Sequence, residues 1–96
     1  MPNESDAVRA LREALSVSPE NVPLRRHLAE MLLSLGEHEE AETEFRRALQ
    51  LAPNDLAVKL GLAGAYHAQG KHGVALAVLE DLLGHPAAPG PAGTES

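Results

Sequence analysis

Residues 19–52 read PENVPLRRHLAEMLLSLGEHEEAETEFRRALQLA, and residues 53–86 read PNDLAVKLGLAGAYHAQGKHGVALAVLEDLLGHP. Laid over one another without gaps, the two 34-residue stretches agree at Pro19/Pro53, Leu28/Leu62, Ala29/Ala63, Gly36/Gly70, His38/His72, Ala41/Ala75 and Leu49/Leu83. The agreements fall on chain breakers and on the small and apolar positions where helix packing is decided. Self-similarity at such a period marks stacked units rather than one closed core. Residues before Pro19 join at the same offset, with Ala7, Leu11, Ala14 and Leu15 overlying Ala41, Phe45, Ala48 and Leu49. The chain therefore reads as half a unit, 5–18, followed by units 19–52 and 53–84 in a single domain. Residues 1–4 read as a flexible start.

Working outward, the sequence is rich in Ala and Leu and poor in β-branched residues, which favours helix. Pro19, Gly36, Pro53, Gly70 and Gly84 cut it into five pieces. The spacing predicts helices near Ser5–Ser18, Val22–Leu35, His38–Ala52, Asp55–Gln69 and His72–Leu83. Ser5 or Asp6, Asn21 and Asn54 are the capping candidates for the first, second and fourth. Residues 85–96 hold three Pro and two Gly with no apolar periodicity and read as a disordered tail.

Composition narrows the function. The chain has 96 residues, no Cys, no Trp, one Tyr and one Phe. Disulfides and thiolate metal sites are excluded. So is an aromatic platform for stacking nucleic-acid bases. Fourteen acidic against eight basic residues give a net charge of −6, which repels a phosphate backbone or an anionic membrane surface. Neither nucleic acid nor membrane is expected as a partner. The start lacks the basic and apolar segments of a signal peptide, so a cytoplasmic location is expected.

At these residues the chain resembles the tetratricopeptide repeat family, whose unit is a 34-residue helix hairpin. Leu28-Ala29 and Leu62-Ala63 match its large–small pair in the first helix, Leu32 and Tyr66 the large residue after it, and Gly36 and Gly70 its turn. Ala41, Phe45 and Ala48 match the second helix, and Ala75, Leu79 and Leu82 do so more weakly. Pro53 closes the first unit, and Pro86 stands one residue early in the second. The resemblance implies an all-α helical-hairpin solenoid of five antiparallel helices in a right-handed superhelical stack. It also implies a concave groove lined by the first helix of each unit, here Arg26, His27, Glu30, Leu33, Leu60, Gly61, Gly64 and His67. Family members that hold a peptide carboxylate do so with Lys and Asn. Arg26 could stand for the Lys, but Glu30 and Gly61 occupy the Asn places, so that clamp is not carried over.

A second candidate surface comes from comparing the units. Glu40, Glu42 and Glu44 correspond to Val74, Leu76 and Val78. With Leu83, these three form an apolar face on the last helix that suits self-association, including a homodimer. The glutamates themselves read as a solvated face at a helix start. No nucleophile or phosphate-loop constellation stands out, and no cofactor is expected. His67 and His72 lie five apart across Gly70, which is not the same-face spacing of a helical ligand pair, so no metal site is expected. The reading is a non-enzymatic protein-interaction module that binds a peptide or helix in its groove, associates through its last helix, or does both. The alternative is an N-terminal regulatory or targeting domain of a larger protein or enzyme.

Overall fold

The computed structural model describes residues 4–84, so the tail read at 85–96 lies outside the described residues. Five helices follow one another: α1 Glu4–Val17, α2 Val22–Ser34, α3 His38–Leu51, α4 Leu56–Ala68 and α5 His72–Leu82. Each differs from its expected span by a residue at one or both ends. Two capping assignments change. Asp55 rather than Asn54 caps α4, its carboxylate accepting from the Val58 amide at 3.1 Å. Ser5 and Asp6 lie inside the first turn of α1, not before it. Asn21 caps α2 as expected, accepting from the Leu24 amide at 3.0 Å, with Pro23 in the tolerant first turn.

The two hairpin turns are built alike. Gly36 has φ +84° and Gly70 has φ +78°, a left-handed conformation that costs glycine nothing. In the first turn the Gly36 amide bonds Leu33 O and the Glu37 amide bonds Leu32 O. In the second, Gly70 bonds His67 O and Lys71 bonds Tyr66 O. This pattern satisfies the last carbonyls of a helix and reverses the chain.

Neighbouring helices pack in sequence, and α2 also touches α4, whereas α3 and α5 do not meet among the described residues. The first helices of the units thus lie on the inner side of the stack. Alanine makes this closeness possible: Ala29, Ala41, Ala48, Ala63, Ala65 and Ala75 are all buried. Leu28, Leu32, Phe45 and Val58 fill the space between the helices. Leu79, expected to fill the second hairpin as Phe45 fills the first, remains 37% exposed. No helix follows to cover it among the described residues.

The glutamates of α3 depart from the sequence reading. Glu44 is only 3% exposed and Glu42 is mostly buried. Helix α3 is enclosed by α2 and α4, so only part of its circumference reaches water. Glu44 draws Arg25 at 2.8 Å, Arg47 at 3.4 Å and Arg12 at 3.5 Å, tying α1, α2 and α3 together. Glu42 accepts from the Gln69 amide at 2.8 Å and faces Lys71 and Arg46. Burial alone would raise its pKa, but the Gln69 hydrogen bond, the charge and hydrogen bond of Lys71 and the Arg46 hydrogen bond hold it below the ordinary carboxylate value. A folded-state pKa below the unfolded one contributes stability that is complete above the ordinary value of 4.5 and is lost as pH falls from there through the lower folded-state pKa. Glu42→Gln should therefore flatten the acid limb of the stability profile. Urea titrations at neutral pH and at about pH 3 would check it; the wild type should lose more stability between the two than the variant.

Candidate functional site

Helices α4 and α5 leave an open groove of about 460 Å³ at the end of the stack, lined by Leu60, Ala63, Gly64, His67, His72, Ala75, Leu76 and Leu79. Its walls are almost wholly apolar. Leu60 is 54% exposed and Leu76 56%, unusual for large apolar side chains sharing one concavity. A larger cleft of about 600 Å³ between the start of α3 and the end of α4 is walled by Glu37, Glu39, Glu40, Gln69 and Lys71 among others. Four of these, Glu37, Glu39, Glu40 and Lys71, are charged and open to water, so burying them offers a partner little.

The seat of the apolar groove is repeated one unit earlier. Moving each lining residue back by 34 gives Arg26, Ala29, Glu30, Leu33, His38, Ala41, Glu42 and Phe45. That earlier seat is occupied by α4. Its Gly61 lies against the Phe45 ring, its Gly64 Cβ position is 3.7 Å from Leu33 Cδ2, and the adjoining Gln69 reaches Glu42. The α4–α5 groove is the same seat without an occupant among the described residues.

The residues expected at the site fall into four sets. Leu60, Gly64 and His67 line the open groove together with Leu76 from the other expected surface. Arg26, His27, Glu30 and Leu33 do not join them. Arg26 is engaged by Glu30 at 3.1 Å, and Leu33 packs on the core beneath α4. Gly61 is a correction. It was expected to face the groove, but a methyl group there would overlap the Phe45 ring, so this glycine serves the contact between α3 and α4. Val74 and Leu83 are exposed beside the groove, while Val78 is half-buried because it takes the inward slot held by Glu44 in the first unit. Ala63, His72, Ala75 and Leu79 were not assigned to the site. The 34-residue overlay could have found three of them, since Ala29, Ala41 and Phe45, the counterparts of Ala63, Ala75 and Leu79, share one buried cluster with Leu62 and Ala65 of α4.

The histidines also depart from expectation. Spacing along one helix separates His67 from His72, but the Gly70 turn folds the chain back, and their Nδ1 atoms lie 3.0 Å apart. The ring centroids are 4.7 Å apart. Among the described residues no group of three or more His, Asp or Glu is placed to hold a metal.

Models of tetratricopeptide repeats match residues 5–55 and residues 40–89. The chain belongs to the tetratricopeptide repeat family. The matches span both hairpins and the half unit before them, which agrees with five consecutive helices and with glycine turns in equivalent places. A search of curated proteins gives no match. Tetratricopeptide repeats generally mediate protein–protein interaction and are typically non-catalytic. None of the described helices is long and apolar enough to cross a membrane.

Proposed function

We propose that this tetratricopeptide repeat chain is a non-enzymatic interaction module that accepts one amphipathic helix of a protein partner in the α4–α5 groove. The observation that carries this reading is the occupied seat one unit earlier. There α4, a helix with small residues on its contact face, lies on walls that recur 34 residues later. The open seat is more apolar than its template, with Leu60 in place of Arg26, Gly64 in place of Glu30 and Leu76 in place of Glu42. It therefore favours an occupant with an apolar face and without the polar group that Gln69 directs at Glu42.

The stack does not supply that helix by repeating itself head to tail. Helix α1 overlies α3, the second helix of a unit, whereas the seat fits a first helix. In this reading the occupant is a helix of a protein partner, held by helix-in-groove recognition.

The probe is a capped peptide with the sequence of residues 55–68, the helix that occupies the equivalent seat one unit earlier, without Gln69. Amide shifts should map its binding to α4 and α5. Gly64→Leu, which fills the groove floor, and Leu76→Glu, which restores the charge of the Glu42 slot, should each weaken it by roughly tenfold or more. Shifts confined to other faces, or affinity unchanged in both variants, would move the binding surface elsewhere. Light scattering on the chain alone reports self-association. A dimer disrupted by Leu76→Glu would make a second copy the occupant and overturn the partner-helix reading.

A further inference from the structure

We infer that His67 and His72 form a two-histidine chelate for a divalent transition-metal ion at the rim of the α4–α5 groove. The inference goes beyond helix binding and stands whether or not that reading holds. Its basis is the facing pair of Nδ1 atoms, 3.0 Å apart. With imidazole–metal bonds of about 2.0–2.1 Å, two nitrogens at that separation subtend roughly 95° at a shared ion. This is nearer the right angle between neighbouring ligands in tetragonal Cu2+ or Ni2+ sites than the wider angle of tetrahedral zinc.

The turn holds the two donors in place. Gly70 at φ +78° and the hydrogen bonds from Gly70 to His67 O and from Lys71 to Tyr66 O join the last turn of α4 to the first turn of α5. The first unit has the same turn but Leu33 in the slot of His67, so His38 has no imidazole opposite it. Both rings of the pair are exposed, which leaves an approaching ion a path and leaves its remaining coordination positions to water. Each ring would coordinate through Nδ1 in the tautomer that carries its proton on Nε2. In the metal-free pair, one Nδ1–H donates to the other Nδ1. When an ion binds, that ring's proton moves to its Nε2, and both Nδ1 lone pairs turn to the metal.

The test titrates the whole chain with Ni2+ by calorimetry and follows thermal unfolding by circular dichroism. One ion should bind per chain and raise the midpoint of unfolding, because binding favours the folded state. His67→Ala and His72→Ala should each weaken binding by roughly tenfold or more, since the second donor acts at high effective concentration. His27→Ala and His38→Ala should leave it unchanged. Both site variants replace exposed side chains, and their metal-free dichroism should match the wild type. Equal affinity in the wild type and in either site variant, or no binding below millimolar Ni2+, overturns the inference.

Discussion

Phe45→Ala is expected to leave the chain largely unfolded at 25 °C. The ring is fully buried and is the largest side chain in the core, at the place where α4 crosses α3. Truncating a buried Phe costs about 3–5 kcal/mol. A domain this small sits near the lower end of the usual total of about 5–15 kcal/mol. Urea unfolding followed by circular dichroism measures the loss, and a cost below about 1 kcal/mol would show that the ring is not packed as described. Gly61 gives an independent readout of the same contact. In an open helix position, Gly→Ala stabilises by about 1 kcal/mol. That gain is expected at Gly64, where a Cβ meets only Leu33 at 3.7 Å. At Gly61 the added methyl overlaps the Phe45 ring, and the sign reverses. In a Phe45→Leu background the Gly61→Ala penalty should shrink by more than about 1 kcal/mol, the mark of two residues in direct contact.

The second large effect is expected at Glu44. Glu44→Ala removes the one carboxylate that joins Arg12, Arg25 and Arg47. Arg25 is the critical partner. Its side chain is only 13% exposed, its Nη1 donates to Glu44 and its Nη2 to Pro19 O, while Nε is buried without a partner. Removing one member of a buried pair costs about 3–5 kcal/mol, because the other charge is left uncompensated. Arg12 and Arg47 are exposed and screened by water, which places the expected loss near the lower figure. Glu44→Leu combined with Arg25→Met should recover most of it, since paired removal leaves no orphaned charge. A double variant no more stable than Glu44→Ala alone would show that the network stabilises through more than compensation.

Most of the helical framework was legible in the chain itself. Pro19, Pro53, Gly36 and Gly70 set the period, and the helices lie within a residue or so of where they divide the sequence. Breakers act locally through φ and through the missing amide, so their effect can be read without knowing the neighbours. The site was legible only in part. Leu60, Gly64, His67 and Leu76 were each singled out, but on two separate surfaces. The structure unites them because α4 and α5 are the two halves of one hairpin and share its open side.

The sequence by itself determined the class of the fold, the unit length, the turn positions and the excess of apolar groups on α5. These follow from backbone chemistry and from the 3.6-residue period of a helix. Only the tertiary structure decided which way the side chains between those landmarks face. Glu44 lies inside rather than on a solvated face because α1 brings Arg12 and α2 brings Arg25 to it, beside Arg47 of its own helix. Gly61 accommodates an aromatic ring rather than a ligand because α4 crosses α3 at that residue. His67 and His72 meet although no single helix could pair them, because the chain reverses between them at Gly70. In each case the deciding neighbour comes from another helix, and contacts between helices are set by packing that no local pattern encodes.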